Sequence, residues 1–97
     1  MDQGPNPHRV TRRDLVDATR VVALWNECAR IGWVGRDYDG MLRVFEAAQH
    51  AIDQPARNPG ALWTWTMKQG REVVTDSERR RARARLDAWY RAGRSRS

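Results

Sequence analysis

The sequence has little cysteine and no long apolar segment. Cys28 is the single cysteine in 97 residues, which excludes an intramolecular disulfide and a zinc site built from several cysteines. No stretch approaches the roughly 18 apolar residues of a membrane span, and the polar residues 1–8 lack the hydrophobic segment of a signal peptide. These absences predict a cytoplasmic protein that does not contact a membrane.

The sequence also lacks a recognisable catalytic, metal or cofactor motif. His8 and His50 have no nucleophile near them in the sequence, and neither supports a metal site. Asp37 and Asp39 are spaced like the start of a calcium loop, but the residues that follow do not continue that pattern. A chain of this size buries only about 60–65% of its unfolded surface, which leaves little room for a deep cleft. We expect a non-enzymatic protein with no metal and no cofactor.

Positive charge is concentrated towards the C-terminal end. The chain has 18 basic and 12 acidic side chains, for a formal net charge of +6, and residues 71–97 carry nine of the basic and four of the acidic ones. Lys68 is the single lysine, so the other basic residues are arginines, whose planar guanidinium group suits phosphate. An arginine preference also follows from the codon usage of GC-rich genomes, so two explanations stand side by side.

Composition divides the chain into three parts. Residues 1–10 contain two prolines and a glycine with little apolar surface, so we expect a flexible arm. A single helical domain should occupy residues 11–92, and residues 93–97 should form a basic tail. The fold class that this predicts is all-α, a compact bundle of about four helices.

The first two helices are predicted from capping residues and apolar stripes. Thr11 and Asp14 have the spacing of a capping box, and apolar residues at three- and four-residue intervals predict one helix from there to about Arg30. A second helix should begin near Asp37 or Asp39 and end at residue 52 or 53.

The segment from Asn58 to Gly70 fits two structures. Asn58 is a good helix cap, and the proline after it and the glycine at the end stand where a helix places them. Against this, Trp63 and Trp65 alternate with threonines, which is typical of a strand, and a hairpin over residues 61–74 would make the chain a winged helix. We favour the helix because its three boundary residues agree with one another.

The two tryptophans of this segment have different environments if it is helical. Trp63 and Trp65 then lie about 200° apart around the axis, so they cannot both face one small core. The second ring could pack under a neighbouring helix. It could instead act as a stacking platform or partner contact beside Lys68 and Arg71.

The last helix begins with a clear local signal. Thr75 and Glu78 have the spacing of a capping box, which predicts a helix from Asp76 to about Arg91. Helical geometry places three residues on its inward side, Ala82, Leu86 and Trp89.

Arginines surround this inward side. Two lie on one edge, two on the other and two face outward: Arg79 and Arg83, Arg81 and Arg85, and Arg80 and Arg91. The distribution favours contact with a phosphate backbone through charge, and the outer face has no Asn or Gln that would favour base readout. The alternative is a solvated basic face that Asp76 and Asp87 partly neutralise.

Several short stretches resemble the C-terminal helical region of bacterial plasmid and phage replication initiators. They are Asn58–Trp65, Met67–Lys68 and Val74–Glu78, which precede an Arg/Ala-rich helix. More loosely, residues 25–70 look like the helical primosomal DnaD-type domain, which binds DNA and helps to load the replicative helicase. The resemblance implies contact with DNA and docking to a replication protein. The DNA-facing positions that it implies are Lys68, Arg71, Arg79, Arg80 and Arg83.

Taken together, these features predict a non-enzymatic protein that binds DNA through its phosphate backbone. The system would be the replication of a plasmid, phage or mobile element. The alternative function is a small adaptor or regulator that docks another protein through an exposed tryptophan, with arginines that keep the chain soluble.

Overall fold

The structure, a computed structural model, describes residues 9–95 and the side chains of residues 9–93. Within that range the backbone forms helices and no strand. The helices are α1 (Arg12–Val16), α2 (Ala18–Arg30), α3 (Tyr38–Asp53), α4 (Pro59–Gln69) and α5 (Asp76–Ser95), with a 3-10 turn at Arg71–Val73. The Cα radius of gyration is 12.5 Å, as a compact domain of this length requires. The prediction of a compact all-α bundle is confirmed.

The ordered fold begins slightly earlier than the sequence predicts. Val10, which falls within the predicted arm, is only 7% exposed and packs in the core. Residues 1–8 of that arm lie outside the described residues.

The last helix is longer than predicted. It continues through Gly93 to Ser95, so the first half of the predicted basic tail is helical. A single glycine weakens a helix by only about 1 kcal/mol relative to alanine, which does not end it. Residues 96 and 97 lie outside the described residues.

Helix α3 is the centre of the bundle. It contacts α1, α2, α4 and α5, and most of its residues from Gly40 to Ala51 are therefore buried. Several of them are alanine or glycine, whose small side chains let the surrounding helices approach closely.

A close approach between two glycines fixes the start of α3. Asp37 Oδ1 accepts the main-chain N–H of Gly40 at 2.8 Å and caps the helix. A Cβ on Gly40 would lie 2.0 Å from the carbonyl oxygen of Gly35, so no larger residue fits there. The same carbonyl accepts a hydrogen bond from Trp25 Nε1 at 3.1 Å. These contacts set the position of Tyr38, the first residue of α3.

The prediction of a single helix from Thr11 to Arg30 is wrong, because the helix is interrupted at Asp17. This residue has extended backbone angles (φ −97°, ψ 113°), and its side chain accepts the N–H of Thr19 to cap α2. Leu15 and Val21 both have no exposed surface. Six residues leave two side chains about 120° apart around a straight helix, and the interruption lets both face the core directly.

The segment that fitted two structures is helical. Asn58 Oδ1 accepts the N–H of Ala61 at 3.1 Å, and Gly70, at φ +89°, ends the helix. The hairpin and winged-helix alternatives are therefore wrong. Trp63 has no exposed surface, and its Nε1 donates to the carbonyl oxygen of Val44 at 3.4 Å, whereas Trp65 is 46% exposed. The predicted difference between the two rings is confirmed.

The capping box that begins α5 is present, and its Glu78 side chain is buried. Thr75 Oγ1 accepts the N–H of Glu78 at 3.1 Å, and Glu78 Oε1 accepts the N–H of Thr75 at 2.9 Å. The predicted inward side packs towards α3, with Ala82 and Leu86 fully buried and Trp89 partly buried.

Candidate nucleic-acid interface

The arginines on one edge of α5 are bound to neighbouring helices. Arg81 forms a two-pronged salt bridge with Asp53, and this hydrogen bonding lowers the pKa of the Asp53 carboxyl. Arg85 donates to the carbonyl oxygen of Leu15 at 2.8 Å and lies 5.7 Å from the centre of the Phe45 ring. Burial lowers the pKa of Arg85. Both guanidinium groups therefore have internal partners.

Arg71, which the resemblance implies as DNA-facing, is half-buried and is held by two carboxylates of α3. Its Nε donates to Glu46 at 2.9 Å and one terminal nitrogen donates to Asp39 at 2.6 Å. Burial alone would lower the pKa of Arg71, but the hydrogen bonds and charges of the two carboxylates outweigh it and raise the pKa. Because two carboxylates occupy this guanidinium, a phosphate would have to displace one of them to bind it.

The other edge and the outward side of α5 carry a different set of arginines. They line an open cavity of about 300 Å³ whose walls are Glu46, Asp76, Arg79, Arg80 and Arg83. Arg80 and Arg83 are exposed, and neither side chain forms an ion pair or hydrogen bond with another residue that the structure describes. These two cations are available to a dissolved anion. We call the cavity the arginine cavity.

Arg79 is intermediate between the arginines that have internal partners and the two that are exposed without them. One terminal nitrogen donates to the carbonyl oxygen of Arg71 at 2.7 Å, and the other lies 3.9 Å from Asp76. Its Nε is buried and has no acceptor within the described part of the chain. A buried donor without an acceptor costs about 1–3 kcal/mol, which an anion that reached this nitrogen would offset.

The predicted residues of α4 belong to a different surface. Lys68 and Trp65 are exposed on α4, and no residues of α4 and α5 come within contact distance of each other in the described chain, because both helices pack on α3. Trp63 has no exposed surface and cannot stack on a ligand. The structure therefore brings together Arg79, Arg80 and Arg83 on α5, whereas Lys68 and Trp65 lie on a helix that has no Cα atom within 8 Å of α5.

A second cavity on the same edge of α5 was missed by the sequence reasoning. It has a volume of about 400 Å³, and its walls are Tyr38, Asp87, Tyr90 and Arg91. Tyr38 donates a hydrogen bond to Asp87 Oδ1 at 2.7 Å, and its ring stacks on that of Tyr90, with centroids 6.1 Å apart and planes inclined by 25°. We call it the tyrosine cavity. Only the helix spacing of Asp87 and Tyr90 could have suggested it, because Tyr38 comes from another helix.

Neither a metal centre nor a membrane span is found in the described chain. No three His, Cys, Asp or Glu side chains of residues 9–93 lie close enough together to hold a metal ion. No helix of residues 9–95 combines the length and apolarity needed to cross a membrane. Cys28 is fully buried, and this burial, with a smaller contribution from Glu27, raises its pKa to about 12. The thiol is therefore not a nucleophile near neutral pH.

Comparisons with protein-family models, with curated proteins and with solved structures give no match to this chain. Proposals about function therefore start from the two cavities and from the sequence itself.

Proposed function

We propose that this protein is a non-enzymatic DNA-binding protein that contacts the phosphate backbone through Arg79, Arg80 and Arg83. The observation that carries the proposal is that Arg80 and Arg83 are exposed on one side of α5 and have no ion-pair or hydrogen-bond partner among the described residues. The neighbouring Arg81 and Arg85 are engaged with other helices. Phosphate is the common biological anion that several guanidinium groups bind together.

The local charge of the arginine cavity supports an anionic ligand. Three arginines and two carboxylates line it, and one of the carboxylates, Glu46, is already paired with Arg71. The other, Asp76, has a side chain that is 89% exposed, so solvent weakens its effect. The cavity therefore keeps a net positive charge.

Contact through two or three arginines predicts weak, salt-sensitive binding without base specificity. For duplex DNA the slope of log K against log salt should be about −2 to −3, since each phosphate contact contributes about −0.9. Affinity measured by fluorescence anisotropy between about 20 and 200 mM salt tests this. A slope near zero, or no binding at low salt, contradicts the proposal.

The biological setting rests on the sequence resemblance. We propose that the protein acts in the cytoplasm, in the replication of a plasmid, phage or mobile element, and docks to a replication protein. A direct test is co-purification with the replicative helicase or its loader from the same host, compared in wild type and in a variant of the exposed Trp65.

A second function is favoured by the outer face of α4. Trp65 exposes 46% of its surface, although tryptophan is usually well buried, and large exposed aromatics commonly anchor protein partners. On this view the protein is an adaptor and its arginines keep it soluble. Flat titrations with single- and double-stranded DNA at low salt, together with loss of partner binding in Trp65→Ala, would favour the adaptor.

A further inference from the structure

The arginine cavity and the tyrosine cavity lie along one edge of α5. The residues that α5 contributes recur every three or four positions, which places them on one side of the helix. They are Asp76, Arg79, Arg80 and Arg83 for the first cavity, and Asp87, Tyr90 and Arg91 for the second. Arg83 and Asp87 are four residues apart, about 6 Å along the axis, so the two cavities are adjacent.

The two cavities differ in chemistry. The arginine cavity attracts phosphate, whereas the tyrosine cavity offers the faces and edges of two stacked rings. Its wall also holds Asp87 and Arg91, one charge of each sign, so it has no excess positive charge to attract a phosphate group. The Tyr38 hydroxyl is bound to Asp87, one helical turn after Arg83 on α5, so the cationic and aromatic parts are close. An occupant of both cavities needs an anionic group and a flat, uncharged ring joined by a short linker.

A nucleotide with an unpaired base has this combination. In duplex DNA the bases are stacked on one another and only the phosphates reach the arginine cavity. In a single strand the base can leave its neighbours and lie on an aromatic side chain. Tyr38 is 40% exposed, so its ring is accessible, and Tyr90 supports it from the other helix.

We propose that the protein prefers single-stranded DNA, with a phosphate held by Arg80 and Arg83 and the adjacent base stacked in the tyrosine cavity against Tyr38. This inference rests on the proposed DNA-binding function and adds the substrate class. Tyr38 is a binding residue in this account, and its hydroxyl, which is engaged with Asp87, holds the ring in place.

The test compares two labelled strands with the same number of phosphates, a deoxythymidine decamer and an abasic decamer. Wild-type protein should bind the thymidine strand about tenfold more tightly, since stacking contributes about 1–3 kcal/mol per base. Tyr38→Leu should bind both strands equally, at the affinity of the abasic strand. Tyr38→Phe, which keeps the ring, should retain most of the preference. Trp65→Leu removes an exposed aromatic from another surface and should change nothing.

Equal affinity of wild-type protein for the two strands overturns the inference while leaving phosphate contact intact. So does loss of the preference in Trp65→Leu instead of Tyr38→Leu. The comparison of the two strands with wild-type protein needs no variant, so it remains a test even where Tyr38→Leu fails to fold. An upfield shift of the Tyr38 ring resonances on adding the thymidine strand would support the stacking of a base on Tyr38 independently. Failure of the proposed DNA-binding function gives a different result. In that case neither strand binds, or the affinity does not change when the charges of Arg80 and Arg83 are altered.

Discussion

Glu78 Oε1 lies 2.9 Å from His50 Nδ1, and the two side chains are only 4% and 13% exposed. The same oxygen accepts the main-chain N–H of Thr75 and so caps α5. One carboxylate therefore joins the start of α5 to the end of α3. The position of the helix that carries the arginines depends on this junction.

Removing the Glu78 carboxylate should destabilise the fold. Glu78→Ala leaves the N–H of Thr75 and the His50 ring without their buried acceptor, so we expect a loss of about 2–3 kcal/mol in the free energy of unfolding. Urea denaturation followed by circular dichroism measures it. Glu72→Ala, at an exposed position nearby, should change the free energy by no more than about 0.5 kcal/mol. Equal effects of the two variants would contradict the role of Glu78 in joining α5 to α3.

Two glycines should respond to alanine in opposite directions. Gly40→Ala places a Cβ 2.0 Å from the carbonyl oxygen of Gly35 and should cost about 3 kcal/mol or prevent folding. Gly93→Ala meets no atom within 4 Å and should stabilise α5 by up to about 1 kcal/mol. Thermal unfolding of the two variants beside wild type decides the matter. A tolerated Gly40→Ala would mean that the loop before α3 is placed differently.

Acid should weaken the fold through Asp14 and Asp53. A hydrogen bond from the N–H of Thr11 lowers the pKa of Asp14, and Arg81 does the same for Asp53. A carboxylate with a lowered folded-state pKa stabilises the fold fully above the ordinary value of 3.8. That stability is lost as the pH falls through the folded-state pKa.

The free energy of unfolding should therefore decrease between about pH 5 and pH 2, and Asp53→Asn should decrease less steeply. Urea titrations at several pH values give the slope. Asp76→Asn, whose side chain is 89% exposed, serves as the matched control and should keep the wild-type slope. If the free energy of unfolding of Asp53→Asn decreases with falling pH as steeply as that of wild type, the result contradicts a stabilising salt bridge between Arg81 and Asp53.

Cys28 should be unreactive in the folded protein. Its burial raises the pKa to about 12, so neither access nor thiolate is available at pH 8. N-ethylmaleimide should add to the native chain only on the timescale of unfolding, and should label it fully in denaturant. Mass spectrometry measures the labelled fraction, and rapid native labelling would show that α2 opens locally.

Sequence patterns located the helix boundaries well where a cap is a local feature. Asp37, Asn58 and Thr75 each cap the helix that the sequence predicts at that place. The interruption at Asp17 was missed because the spacing of apolar residues within one segment does not show how that segment packs on another helix. The need to bury Leu15 and Val21 together exists only once α3 is in place.

The candidate site was less predictable than the fold. Which arginines are occupied depends on carboxylates that α3 supplies, such as Asp53 for Arg81 and Glu46 for Arg71. Those pairings join residues far apart in sequence. For the same reason the stacked pair of Tyr38 and Tyr90 could not be found from the order of residues alone.

The most direct test of the account is DNA binding by the double variant Arg80→Glu with Arg83→Glu, compared with Arg12→Glu and Arg13→Glu. Both variants change the net charge equally, and Arg12 and Arg13 are exposed at the opposite end of the chain. We predict at least about tenfold weaker binding at low salt for the α5 variant and a change of less than about twofold for the α1 variant. Equal losses, or no loss in the α5 variant, would contradict a binding surface at Arg80 and Arg83.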